Sequence, residues 1–224
     1  AFSSTLIESI SFPPNLTQID DAAFFYCEKL KKVEFDENSK LEIIGENAFS
    51  HTSIKCISIP VHLKQIGLRA FYRCEQLDYV EIPKNSELLS IEKKAFAYSL
   101  INCISIPSHL KKIGEGAFFR CILLSKIVIP TDSELQIIEK KAFAETSIES
   151  IYIPSNVTQI CESSFEYCID LETIEIPTNS NLQIIDNNAF HGSTLHRINF
   201  PSSLIDLKND WCSETDELIN INID

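Results

Sequence analysis

The sequence predicts an α/β repeat solenoid: a parallel β-sheet on a concave face, with short helical or 3₁₀ turns on the convex side. Three observations predict it. A Phe recurs at Phe24, Phe49, Phe71, Phe96, Phe118, Phe143, Phe165 and Phe190, at steps that alternate between 25 and 22 residues. An Ile stands five residues before each Phe, and the residue just before each Phe is Ala except at Ser164. Each copy then runs into a short segment with aliphatic residues at alternate positions, such as Leu77-x-x-Val80-x-Ile82. Chance does not hold three columns in register over eight copies.

The alternating segments are the strands. They run from Ile7-x-x-Ile10-x-Phe12 to Leu218-x-x-Ile221-x-Ile223, ten units at steps of 23 and 24 residues. β-Branched residues at every second position mark a strand with one buried face. A Pro follows most of them (Pro13, Pro60, Pro83, Pro107, Pro130, Pro154, Pro177 and Pro201). Pro lacks the N–H a ladder needs, so it stops the strand and turns the chain. The Ile-x-x-x-Ala-Phe segment crosses back, and is expected to form one tight helical or 3₁₀ turn. No unit can bury its apolar face alone; stacked neighbours share one core.

Alternate units carry a longer loop, as in Asn38-Ser39-Lys40-Leu41 and Asn85-Ser86-Glu87-Leu88, so the full sequence repeat is 47 residues. The whole chain, 1–224, is read as a single domain with a degenerate terminal repeat at 202–224. There Trp211 falls in the Ala column and Cys212 in the Phe column, as suits a repacked end; a one-residue slip of the alignment is the alternative.

Composition narrows the function. Apolar residues make up 44% of the 224, enough for a continuous core. The net charge is −13, and residues 150–224 hold twelve Asp/Glu against Arg197 and Lys208 alone. Such a surface repels nucleic acid and anionic membranes. No run of 18 apolar residues occurs, so no transmembrane helix and no direct membrane insertion are expected.

The pattern Ile-Gly-x-x-Ala-Phe-x-x-Cys-x-x-Leu-x-x-Ile-x-Ile-Pro is nearly complete from Ile66-Gly67 through Ala70-Phe71, Cys74, Leu77, Val80 and Ile82 to Pro83. It is as close in Ile113-Gly114, Ala117-Phe118, Cys121 and Leu124. These residues resemble the BspA-type, or Treponema pallidum-type, leucine-rich repeats, over essentially the whole chain. The resemblance implies a surface or secreted protein. It also implies adhesion to host cells or to extracellular-matrix proteins such as fibronectin and fibrinogen. It names no binding residue, because the motif residues are core residues.

Eight Cys would suit four disulfides in a small secreted scaffold,. The repeat argues otherwise. Cys27, Cys74, Cys121 and Cys168 share a column in which Thr52, Ser99, Thr146 and Ser193 fill the alternate turns. Two turns set neighbouring Cys of this column ~10 Å apart, beyond the ~7 Å Cα separation a disulfide spans. A buried thiol bonded to backbone is the expected role. Cys161 and Cys168 are the only pair close enough in sequence to bridge.

Nothing points to catalysis, and no cofactor is expected. No phosphate-cradling Gly loop, G-x-S-x-G or H-E-x-x-H occurs. Gly45, Gly67 and Gly114 share one column and serve a turn. His62 and His109 are turn histidines ~10 Å apart, too far for one metal ion. Two sequons, Asn15-Leu16-Thr17 and Asn156-Val157-Thr158, make Asn15 and Asn156 candidate glycosylation sites in a secreted protein, or plain turn residues otherwise.

The non-core strand positions line the concave face and are the first candidate for binding a partner, with the convex edge or the long loops as the alternative. These strand positions do not repeat, although the core columns beside them do. Tyr79, Glu81, Lys126, Val128, Tyr152 and Arg197 are the candidate protein-binding residues, since Tyr and Arg favour interface hot spots. The chain reads as a non-enzymatic protein-binding or adhesion module. An intracellular interaction scaffold in the cytoplasm is the alternative.

Overall fold

The structure, a computed structural model, describes residues 2–215 and 220–223. The chain winds into a parallel β-solenoid. One face begins with Ser9–Phe12 and Lys32–Phe35, paired to each other with Ile10 opposite Val33. It continues as eight strands: Cys56–Ser58, Tyr79–Glu81, Cys103–Ser105, Lys126–Val128, Ser150–Tyr152, Thr173–Glu175, Arg197–Phe200 and Asn220–Ile223. A second ladder of nine two-residue strands runs from Gln18–Ile19 to Asp206–Leu207. Strands of the two ladders alternate along the chain, so each coil lies directly on the one before.

Side-chain alternation explains the short strands. In Cys103–Ser105 the middle Ile104 is buried while Cys103 and Ser105 are exposed, and the same pattern holds in Tyr79–Glu81 and Lys126–Val128. The period of two puts one residue inward and its neighbours outward. Between strand and loop, Ser39, Ser86, Ser133 and Ser180 are buried. Each accepts a hydrogen bond at Oγ from the N–H two residues on, at 3.1–3.3 Å. This local bond seats Leu41, Leu88, Leu135 and Leu182 in the core of the longer loops,.

The core is one cluster from Ile19 to Phe200. Its spine is a stack of nine Phe rings among the described residues, from Phe2 and Phe24 to Phe190. Neighbouring centroids lie 5.2–5.5 Å apart and the planes differ by only 3–13°. Each buried ring contributes about 1.5–3 kcal/mol by leaving water, and each stacked pair about 0.5–1.5 kcal/mol more. Phe2 lies 22 residues before Phe24 and so begins the series, a position the eight-copy alignment leaves out.

The expected helical or 3₁₀ turn is corrected. Among the described residues no helix forms, and the crossing is a flat turn with two left-handed residues four apart: Asn47 (φ 52) and His51 (φ 58), Arg69 and Arg73 (both φ 53), Lys94 (φ 55) and Tyr98 (φ 62). Alternate N–H groups are donated to the next coil: Asn47 to Leu68 O at 2.8 Å, Phe49 to Ala70 O at 2.8 Å and His51 to Tyr72 O at 2.9 Å. Only those between them turn back three residues, as Ala48 N–H does to Gly45 O. A helix uses consecutive N–H groups within its own segment. Here every second one ties two coils together instead.

The column glycines do not supply the positive φ. Gly45, Gly67 and Gly114 sit where an added Cβ would lie 2.6–2.7 Å from the preceding coil. Their role is close approach.

The 47-residue period has a packing counterpart. Cys74 Sγ donates to Phe49 O at 3.1 Å, and Thr52 Oγ1 donates to the same carbonyl at 2.9 Å, with Sγ and Oγ1 3.3 Å apart. Thr146 and Cys168 share Phe143 O in the same way, and Cys121 bonds Phe96 O beside Ser99. A hydroxyl from one coil and a thiol from the next thus close one polar site inside the core.

At the far end Phe190 N–H donates to Trp211 O at 2.7 Å, as each motif Phe donates to the Ala column of the following coil. Trp211 therefore occupies the Ala column, without a slip. Its indole packs edge-on against Phe190 and Phe200. Leu218, the anchor of the last strand pattern, lies outside the described residues.

Candidate binding face

The strand face is built by residues on both sides of the buried Ile column. Ladder pairing puts Tyr79 between Cys56 and Cys103, and Lys126 between Cys103 and Ser150. Thr173 stands between Ser150 and Arg197. Tyr79 is 48% exposed and Val128 45%, large apolar surface for positions that contribute nothing to the core. Glu81, Lys126 and Arg197 are exposed, and Tyr152 is half-buried.

The six predicted residues share this face without converging on one point. Tyr152 and Arg197 line one shallow groove of about 420 Å³ with Thr173, Glu175, Pro177 and Asn199. Tyr79 and Lys126 are two strands apart, ~10 Å at ordinary ladder spacing. Charges at the N-terminal end of the face are satisfied within it. Lys32 Nζ lies 2.7 Å from Glu34 Oε1, and Ser11 Oγ donates to Glu34 Oε2 at 3.1 Å. The bonds from Lys32 and Ser11 hold the Glu34 carboxyl below its ordinary value,. Ser58 Oγ donates to Glu81 Oε2 at 2.6 Å.

Among the described residues no constellation for chemistry assembles elsewhere. The eight cysteines are unpaired thiols. Burial pushes Cys74 and Cys168 up to about 11 and Cys121 to about 12, only partly offset by their hydroxyl partners. Such thiols are poor nucleophiles at neutral pH. His62 and His109 each bind an acid of the next coil, Glu87 at 3.0 Å and Glu134 at 2.8 Å. Among the described residues no three His, Cys, Asp or Glu are grouped to hold a metal ion, and no helix is long and apolar enough to cross a membrane. Asn15 and Asn156 are both exposed, but Asn156 Nδ2 already donates to Ser133 O at 2.8 Å.

A second surface escaped the sequence reading. Outside the Phe spine runs an aromatic row: Tyr26 stacks on His51 at 4.1 Å, followed edge-on by Tyr72, Tyr98 and Phe119. Arg73 lies 5.0 Å over the Tyr98 ring, and Arg120 lies 5.9 Å from it. Burial and the Arg73 charge hold the His51 imidazole below its ordinary value. The signal was the two columns after each motif Phe, which mix Tyr, Phe, His and Arg with Ala and Ser and so do not read as one periodic column.

The model of the BspA type leucine rich repeat region matches six copies over residues 1–121 and 89–219. The chain belongs to the BspA-type leucine-rich-repeat family. Among solved structures, this BspA-type chain is similar to the pneumococcal vaccine antigen PcpA, with 20% identity and a TM-score of 0.61, over 96% of its own length and 62% of that chain. It is likewise similar to the T. pallidum leucine rich repeat protein, with 22% identity and a TM-score of 0.58, over 83% of its length and 76% of that chain. At these identities the likeness is one of fold. The BspA-type chain thus spans less than two thirds of the pneumococcal chain it matches. No curated protein matches its sequence.

Proposed function

We propose that this BspA-type repeat protein is a non-enzymatic binding module, displayed at a cell surface or secreted, that holds a host-cell or extracellular-matrix protein on its strand face. One observation carries the reading. Packing dictates the buried aliphatic residue at the centre of each strand, yet the flanking positions hold Tyr79, Lys126, Val128 and Arg197, all exposed, and the half-buried Tyr152 on one continuous ladder. Exposed aromatic and cationic side chains with no part in the core are the kind of surface that supplies interface anchors. The BspA-type family, with a vaccine antigen among its structural neighbours, suggests the location. If the chain meets a glycosylation machinery, Asn15 is the better acceptor, because the Asn156 amide is engaged.

The test is binding of the purified chain to immobilised fibronectin, fibrinogen and other matrix proteins, beside a Tyr79→Ala/Lys126→Ala/Tyr152→Ala variant of unchanged circular dichroism. Saturable binding that the variant loses is the expected result. Binding that survives in the variant moves the site off this face, and no binding to any member removes the matrix reading.

A second reading, an interaction scaffold inside the cell, is favoured by the free thiols. Cys56 and Cys103 are exposed and unpaired, a state that reducing compartments preserve. Recovery of all eight thiols reduced from the native source would support it, and Cys56 or Cys103 in a mixed disulfide would count against it.

A further inference from the structure

The strand face contains an internal comparison. Lys32 and Glu34 flank the buried Val33, and Lys126 and Val128 flank the buried Ile127. Two 47-residue repeats separate Lys32 from Lys126, so the two lysines occupy the same place in the same kind of coil. At the first place the lysine is neutralised by its own strand, with Lys32 Nζ 2.7 Å from Glu34 Oε1. At the second the acid is replaced by Val128. The strands on either side offer Cys103, Ser105, Ser150 and Tyr152, none of them an acid. Among the described residues, no carboxylate lies within ion-pair range of Lys126.

The same bed is neutral and half apolar. Val128 presents 45% of its surface to solvent two residues from the ammonium. Tyr79 and Tyr152 bracket the position along the ladder. An exposed cation beside an exposed apolar side chain on an extended strand presents a carboxylate partner and a hydrophobic partner at adjacent positions. An extended peptide meets both from one face when its acid and its apolar residue stand two apart, because its side chains alternate between faces. Charge complementarity sets the sign: the acid that Glu34 supplies to Lys32 within the chain can reach Lys126 only from outside. The neighbourhood permits this. Residues 1–149 are close to balanced in charge, whereas the acidic excess lies in 150–224.

We propose that the strand face takes an acidic, partly apolar peptide segment of its protein partner, with a carboxylate of that segment on Lys126 and an apolar side chain on Val128. The proposal rests on the strand-face reading above and narrows it to a chemical class.

The test is the substitution Val128→Glu, which rebuilds at this coil the ion pair seen at Lys32 and Glu34. Three probes are titrated into isotopically labelled protein and followed by amide shifts. They are an acetylated peptide repeating Asp-Ser-Leu-Ser, its Asn-Ser-Leu-Ser counterpart, and a heparin hexasaccharide. The expected result is millimolar or tighter binding of the acidic peptide, with the largest shifts at residues 103–105, 126–128 and 150–152. Affinity should fall at least about tenfold, the equivalent of 1.4 kcal/mol, in Val128→Glu and in Lys126→Met, and be kept in Lys126→Arg. Equal binding of the acidic and neutral peptides, or no binding of the acidic one at millimolar concentration, overturns the proposal. Tighter binding of the hexasaccharide with the same loss in Val128→Glu overturns the peptide class. If matrix-protein binding is lost in the Tyr79/Lys126/Tyr152 triple variant but unchanged in Val128→Glu, the strand-face reading stands and this inference falls.

Discussion

Ser164 is the one described buried side chain whose polar atom has no hydrogen-bond partner. It fills the Ala column, where seven other motif coils place Ala. An unmet buried hydroxyl costs about 1–3 kcal/mol, and the column already shows that Ala fits. Ser164→Ala should therefore stabilise the fold by about 1–2 kcal/mol, read as a higher urea midpoint with an unchanged slope. The buried thiols act in the opposite direction on raising pH. Their folded values, about 11 for Cys74 and Cys168 and about 12 for Cys121, lie above the ordinary 9.0. The stability they carry is complete below pH 9 and is lost as pH climbs through the folded values. Melting temperature should fall across that alkaline window, and less steeply in a Cys74→Ser/Cys121→Ser/Cys168→Ser variant. In native protein Cys56 and Cys103 should react with a thiol reagent first, while Cys74, Cys121 and Cys168 wait for unfolding.

At the scale of the element, the crossing turn sets the fold. Two left-handed residues per coil tilt alternate N–H groups toward the next coil, and for most residue types that conformation costs about 1–2 kcal/mol. Gly116 occupies the first of these positions in its own coil, where Lys94 occupies it in the coil before. Lys94→Gly should gain about 1 kcal/mol and Lys94→Val lose about as much, measured by urea denaturation. This is also where the sequence was least legible. The strands, the Phe spine and the Cys column follow from spacing, because burial selects residue type at each of those positions. The turn's backbone selects weakly: Asn47, Arg69, Lys94, Gly116 and Lys141 all occupy one left-handed column,. An Ile-x-x-x-Ala-Phe spacing also suits one helical turn, and only the cross-coil hydrogen bonds separate the two. The candidate face was legible for a related reason. Its residues were found as the strand positions that packing leaves free. Whether a charge there is neutralised within the chain, as at Lys32, or left open, as at Lys126, depended on side-chain geometry.

Across the whole molecule, the described coils touch only their neighbours, so stability is a sum of coil and interface contributions that can fail coil by coil. The Phe spine runs through the middle of the array and meets Trp211 at the end of the described core. Trp211 is the only tryptophan in the chain. Its indole contacts two rings, Phe190 and Phe200, both from the coil before it. Tryptophan emission from this protein is therefore a local optical signal rather than a global one. On heating, the emission maximum should follow the loss of packing around Phe190 and Phe200 alone, while the far-ultraviolet dichroism follows every coil, so a red shift at a lower temperature than the loss of dichroism would mean that this coil opens apart from the rest. Coincident transitions would mean that the array melts as one cooperative unit. The position of a single ring thus lets one fluorophore report the opening of one coil while the backbone signal reports the remaining coils.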